Sequence, residues 1–372
     1  NQINNSADVE GRGSLRMPAN NNLSGGALKQ PSVIVIHWRD RMVFRGAAKL
    51  AQFYGKVTAL QNDSEVRCHE MHVQFDRPID FSRRGPAAPK PPPAKGQPAD
   101  DNPKIDTVRC HPAPDDLRDE AADAFRVHYR EVGRDAFGRI VKSQDLDARS
   151  LELKARFVDP ATREVYQRVV ADGPGVLRIW QAGLKDENAP VGPAVGRNAP
   201  ATLTGQRKDA PAKESDKKLT IVIFTKLMIA RDYGNIFQDA TFTEAVKLYH
   251  CPASTENFAF NENLLPAGSV RLQCTTKLVV SSRKDPNGPA AQRLDAYGNA
   301  YIRSDEYNGW GEQITSDGPT VTLVGTKNAL AWIKSRFSAD FQNGTRIVFD
   351  RATGKMESTG STGSGFQQKP KN

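Results

Sequence analysis

The sequence predicts an all-β protein, and three observations lead there. Apolar residues recur with a period of two in several short stretches, as half-buried strands require. Turn signals punctuate those stretches at short intervals. The same strand pattern also returns later in the chain, as in repeated β architectures. Together these imply a sandwich, jelly roll or stacked slab, and they argue against a helix-rich α/β fold.

In chain order, residues 1–32 are rich in Asn, Gly and Ser and read as a flexible N-terminal arm. The first residue is Asn and no basic-then-apolar leader follows, so this reads as a processed or truncated chain. At Val33-Ile34-Val35-Ile36 the texture turns β-branched. Ala51, Phe53, Gly55, Val57 and Ala59 then alternate with mostly polar residues, which predicts a strand with one buried face. Val66, Cys68, Met71, Val73 and Phe75 continue the alternation with one slip of phase, which a β-bulge would absorb. Residues 83–104 carry seven prolines, including Pro91-Pro92-Pro93, and read as an extended Pro-rich insertion. Asp115 to Arg126 has an acidic start and predicts one short helix.

Strand texture resumes at Leu146, Ala148, Leu151 and Leu153, and again at Val176, Leu177, Ile179 and Trp180. Residues 181–217 form a Pro/Gly/Lys-rich linker, and the β pattern restarts at Leu219. The Ser/Thr/Gly/Lys-rich tail 358–372 reads as disordered. This gives a first β unit at 33–180 and a second at 218–357.

The two units resemble each other. Val33–Ile36 with Trp38 and Met42 aligns without gaps on Leu219–Val222 with Phe224 and Met228. Ala51-x-Phe53-x-Gly55-x-Val57-x-Ala59 matches Ala240-x-Phe242-x-Glu244-x-Val246-x-Leu248, and Leu294-x-Ala296-x-Gly298-x-Ala300-x-Ile302 is a third copy. Val66 and Cys68 match Leu272 and Cys274, and the turn Asp159-Pro160-Ala161-Thr162 resembles Asp350-Arg351-Ala352-Thr353.

These motifs resemble the OstA-like family, the lipopolysaccharide-transport proteins of the periplasmic bridge. The likeness rests on Ala51–Val57, on Val66-Arg67-Cys68 with Met71-x-Val73-x-Phe75-Asp76, on Val321–Gly325, and on Arg346-Ile347-Val348-Phe349-Asp350 through Gly354. It covers residues 33–80 and 218–357, with 105–180 a weaker fit. Departures are the Pro-rich insertion, the acidic helix, and Glu244 where the family pattern has Gly. The resemblance implies tandem β-jelly-roll units holding acyl chains between two sheets and stacking end to end through edge strands. It also implies a periplasmic or cell-envelope address. The interior face, and so the lipid-binding residues, would be Val35, Ala51, Phe53, Val57, Phe242, Val246, Ala296, Ile302, Ile347 and Phe349.

Charge and motifs bound the function. With 52 Lys plus Arg against 43 Asp plus Glu the net charge is +9, and mean hydropathy is −0.58. A basic chain suits an anionic partner: nucleic acid, acidic polysaccharide or anionic lipid. The cations are dispersed among acids instead of lining a stripe, which argues against nucleic acid and suits a lipid head group; the resemblance implies that this lipid is lipopolysaccharide or another anionic amphipathic lipid. No nucleophile elbow, phosphate loop or dinucleotide fingerprint stands in a strand–turn–helix context, so a non-enzymatic role without cofactor is expected. Cys68-His69, Cys110-His111 and His250-Cys251 evoke zinc, yet neighbours on a strand face opposite ways and the Cys-x₂-Cys spacing is missing. Cys68 and Cys274, equivalent in the repeat, read as buried small apolar residues. Tyr301, Tyr307 and Trp310 near Arg303 read as exposed aromatics that either cap a hairpin loop or form a carbohydrate or nucleic-acid platform. A structural or adhesive envelope sandwich with a closed core and no lipid is the other alternative.

Overall fold

The computed structural model describes residues 5–23, 27–79, 103–113, 126–182, 217–234, 237–283, 291–336 and 341–360. Among these residues the chain forms 25 strands, which belong to one hydrogen-bonded network. The first are β1 (Ser6–Glu10), β2 (Gly13–Asn21), β3 (Ala27–Trp38), β4 (Arg41–Arg45), β5 (Leu50–Gln61), β6 (Ser64–Phe75) and β7 (Ile105–His111). Then come β8 (Val127–Arg134), β9 (Ile140–Ala148), β10 (Ser150–Val158), β11 (Val165–Asp172), β12 (Gly175–Gln181), β13 (Lys218–Phe224), β14 (Leu227–Asp232), β15 (Phe237–Thr243) and β16 (Val246–Pro252). The last are β17 (Val270–Cys274), β18 (Lys277–Arg283), β19 (Ala291–Arg303), β20 (Tyr307–Asp317), β21 (Thr320–Val324), β22 (Ala331–Ser335), β23 (Gln342–Gly344), β24 (Arg346–Asp350) and β25 (Met356–Thr359).

The antiparallel pairings sort into two ladders. A front layer runs β2-β3-β5-β6-β8-β9-β12-β13-β16-β17-β19-β20-β22-β23. A back layer runs β1-β4-β5-β6-β7-β10-β11-β14-β15-β18-β19-β20-β21-β24-β25. The long strands β5, β6, β19 and β20 pass through both. The layers face each other across one apolar core, with ring pairs Trp38–Phe53 at 5.5 Å, Phe224–Phe242 at 5.8 Å and Tyr307–Phe349 at 5.2 Å spanning it.

Chain direction then defines two unlike edges. Along the corner edge the chain steps from one layer to the other, at Arg39-Asp40, Gly55-Lys56, Arg149, Gly173-Pro174, Thr225-Lys226, Glu244-Ala245, Thr275-Thr276 and Gly298-Asn299. Backbone bonds link successive corners: Arg39 N–H to Gly55 O (2.7 Å), Gly173 N–H to Lys226 O (2.6 Å), Thr225 N–H to Glu244 O (3.0 Å), Glu244 N–H to Thr276 O (2.9 Å) and Thr275 N–H to Gly298 O (2.7 Å). Along the loop edge each connection between consecutive strands joins strands of the same layer, as between β8 and β9 or β10 and β11.

The repeat motif has a structural meaning at the corners. Gly55-Lys56, Glu244-Ala245 and Gly298-Asn299 are all consecutive pairs with positive φ, at +77/+48, +61/+47 and +80/+43. The fifth residue of Ala-x-Phe-x-Gly is therefore where the strand turns from the back layer to the front. The phase slip in β6 falls here too, but the extra residue sits on β5, where Gly55 and Lys56 oppose the single His69. The repeated Asp turns are also alike: Asp159 Oδ1 accepts from Ala161 and Thr162 N–H at 2.8 and 3.1 Å, and Asp350 Oδ1 from Ala352 and Thr353 N–H at the same distances.

Several expectations are corrected. Residues 1–32 are not a free arm, since they hold β1, β2 and the start of β3. Leu15, Met17 and Ala19 alternate and pack on the core, and Pro18 fits because β2 has a single neighbour among the described strands. Ser358 and Thr359, placed in the tail, pair with Ile347 and Arg346. Either side of the linker, β11 pairs with β14 and β12 with β13, so both ladders run on between the two expected units. The short helix expected at 115–126 (all but Arg126), the Pro-rich insertion 83–104 (all but 103–104), the linker 181–217 (all but 181, 182 and 217) and the tail from 361 on lie outside the described residues.

Candidate functional site

The interior between the layers is the candidate site, and cross-strand register stratifies it. Counting inward-facing residues from the corner edge, the first row of the front layer includes Trp38, Val57, Val127, Ala148, Phe224 and Val246; the back layer adds Phe53, Met71, Leu151, Met228, Phe242 and Ala296. The second row is equally apolar, with Ile36, Ala59, Leu146, Leu177, Val222 and Leu248 facing Ala51, Val73, Leu153, Val169, Ala240 and Leu294.

The third row changes chemistry. In the front layer, Gln61 stands opposite Ser64, and a continuous register runs Glu131–Gln144–Ile179–Thr220–His250–Val270. In the back layer it runs Gln167–Asp232–Gln238–Ser282–Gln292. Two residues further out on β9 and β13, Lys142 and Lys218 both stand in register with Gln181. The interior thus passes from apolar at the corner edge to polar, then cationic, at the loop edge.

This polar row is internally ordered. Gln61 donates through Nε2 to Asn21 O at 2.8 Å and to Ser32 Oγ at 2.7 Å. Tyr129 donates to Glu131 Oε2 at 2.8 Å, and Asp232 Oδ1 accepts from Gly234 N–H at 2.8 Å. His250 Nδ1 lies 2.9 Å from Thr220 Oγ1; burial, then the Lys218 charge, pushes its pKa down to about 4, so the ring is neutral at pH 7. The Oε1 atoms of Gln61 and Gln144 are buried and have no hydrogen-bond partner among the described residues.

Nine of the ten interior residues read from sequence do face this core: Ala51, Phe53, Val57, Phe242, Val246, Ala296, Ile302, Ile347 and Phe349 are all at most 4% exposed. Val35 does not. In β3 it is Ile34 and Ile36 that point inward at 0% and 1%, and Val35 lies half-buried on the outer face. Sequence reasoning missed the third row, although Gln144-x-Leu146-x-Ala148 and Thr220-x-Val222-x-Phe224 each show the polar step at the period of the strand.

Other motifs resolve differently. Tyr307 is not exposed: at 1% exposure its ring meets Phe349 edge-on, and burial raises its phenol to about 12. Tyr301 and Trp310 are half-buried on the outer face, directly opposite each other. That outer face is covered in its middle by the 253–269 segment, whose Phe258, Phe260 and Leu265 pack on Trp180, Leu219, Ile221 and Tyr249. Among the described residues no three His, Cys, Asp or Glu side chains converge as a metal site.

Comparison of the chain with protein-family models, with curated proteins and with solved structures finds no match to any of them.

Proposed function

We propose that this chain is a non-enzymatic carrier of an amphipathic envelope lipid, lipopolysaccharide-like, built from OstA-like β-jelly-roll units and working in the periplasm. The observation that carries the reading is the stratified interior: two apolar rows against the corner edge, a polar third row at the loop edge, and Lys142 and Lys218 beyond it. Acyl chains would occupy the apolar rows, where each methylene removed from water contributes about 0.8 kcal/mol. The hydroxyl- or amide-bearing part of the head group would meet Gln144, Thr220, Gln167 and Gln238, and an anionic part the two lysines.

Entry requires the layers to part, since the inward side chains are packed and buried. The corner edge is continuous backbone and serves as the hinge; the loop edge is where separation breaks no chain connection between layers. Terminal strands β1 and β2, and β23 and β25, each pair on one side among the described strands, and these edges suit stacking on a second copy or a related protein.

Lipid extraction and mass spectrometry of the purified chain test the reading, together with photocrosslinking from a probe at Gln238 or Phe242. Acyl-bearing species and crosslinks to lipopolysaccharide are expected. Their joint absence sinks the carrier and favours a structural envelope sandwich, which the near-zero exposure of Phe53, Phe242 and Ala296 also suits.

A further inference from the structure

Four cysteines are buried as free thiols, and they fall into two kinds. Cys251 and Cys274 each face a backbone carbonyl: Cys251 Sγ lies 3.7 Å from Leu219 O and Cys274 Sγ 3.3 Å from Lys277 O. Cys68 and Cys110 instead both point into the core, and by register they hold the places that Trp38 and Phe53, with rings 5.5 Å apart, and Phe224 and Phe242, 5.8 Å apart, hold at other corners. They come from opposite layers. Cys68 ends the front half of β6 opposite Val57, and Cys110 lies on β7 in the back layer opposite Met71. Between Cys68 and Met71 the chain turns the corner, so the two sulfurs meet across the first interior row beside the hinge.

We propose that Cys68 and Cys110 form a disulfide that staples the two layers together at the corner edge. The partner reagent is itself a disulfide. A thiolate of the pair attacks one of its sulfurs and expels the first thiol; the second cysteine then attacks the mixed disulfide and expels the other. Two protons leave the cysteines, and two electrons reduce the reagent disulfide to two thiols. The bond would enclose the segment from 69 to 109, which contains the Pro-rich insertion, and would hold the front and back halves of this corner in register.

Timing follows from burial. Cys110 is 0% exposed and Cys68 8%, and the hydrogen bond to Cys110 followed by burial raises the Cys68 thiol well above its ordinary range. The folded, reduced protein therefore offers little thiolate to a reagent, and oxidation belongs to the folding chain before the layers close.

The test starts from the parent chain. The unfolded, reduced chain is refolded in oxidised and reduced glutathione, denatured, alkylated and mapped by peptide mass spectrometry. A Cys68–Cys110 crosslinked peptide is expected, with Cys251 and Cys274 alkylated. Heating the oxidised and reduced forms should show the oxidised form melting higher by about 5 °C. Alkylation of all four cysteines, a linkage through Cys251 or Cys274, or an unmoved midpoint overturns the proposal. Cys110→Ser should abolish the crosslink and leave Cys68 open to alkylation on unfolding.

Discussion

The two edges of the molecule are made of the same strands, yet they are built on different principles. At the corner edge, backbone passes between layers at every step, carbonyls and amides of successive corners bond one another, and the side chains beneath are apolar and buried. At the loop edge, each turn returns to its own layer, and amides, hydroxyls, two carboxylates and a neutral imidazole enter the inward row alongside Ile179 and Val270. A sandwich selected for stability alone gains from apolar residues out to both edges. Here one edge is fastened and the other is left polar, which is the arrangement a slot opening on one side needs.

The largest effect that tests this contrast lies under the corners. Phe242→Ala removes a ring that is 0% exposed and 5.8 Å from Phe224 across the layers, and should cost about 4 kcal/mol in urea unfolding. Phe137→Ala, at the loop edge and 83% exposed, should stay within about 0.5 kcal/mol. Equal costs at the two sites would break the comparison.

His250 tests the loop edge itself. Its folded pKa, about 4, lies below the ordinary value, so the unfolded chain binds the proton first as pH falls. Stability is therefore undiminished above about pH 6.5, declines as pH drops toward 4, and has lost about 3 kcal/mol of this contribution below that. Lys218 and Thr220 are the groups that face it. The difference in unfolding free energy between the parent and His250→Gln, followed from pH 8 to pH 4, isolates this term. A pH-independent difference means the ring reaches water, and the row is then wetter than its 4% exposure implies.

Glycines distinguish the edges on a smaller scale. Gly298 (φ +80°) sits at a corner where an added Cβ would collide with Thr276 Oγ1 and come within 2.7 Å of Thr275 Oγ1. Gly354 (φ +72°) turns at the loop edge with nothing near it. Gly298→Ala should cost about 3 kcal/mol and Gly354→Ala about 1 kcal/mol, the second being the left-handed backbone penalty alone. Matching losses would show that the corner has room to relax.

Strand period made the interior legible wherever apolar residues alternate without interruption, as in Ala51–Ala59. It failed at Val33–Ile36, where four β-branched residues in a row carry no phase, and the wrong parity put Val35 inside. It failed again over residues 1–32, because an edge strand buries one side only and tolerates the Asn, Ser and Pro that usually signal a loop. The corner pairs were visible as a repeat, but their role was not: positive φ is a backbone state that Glu244 and Ala245 adopt without announcing it by composition. The polar third row was passed over because a single Gln or Thr at a strand end reads as the beginning of a turn, and only register across many strands turns those single residues into a row.

The smallest predicted effect bears on the one of the three positive-φ corner pairs that lacks glycine. Glu244 holds φ at +61° where the other two corners have Gly, and it carries an exposed ion pair with Lys226 at 2.7 Å. Glu244→Gly relieves a left-handed residue that costs about 1 kcal/mol. It also frees the unfolded chain, which takes back about half of that gain. The ion pair is solvated on both sides and adds little to the balance. The variant should therefore be more stable by about 0.5 kcal/mol, read as a rise in urea midpoint with an unchanged slope. A fall in midpoint instead would mean that the side chain itself braces this corner, held by charge where the other two positive-φ pairs are held by glycine.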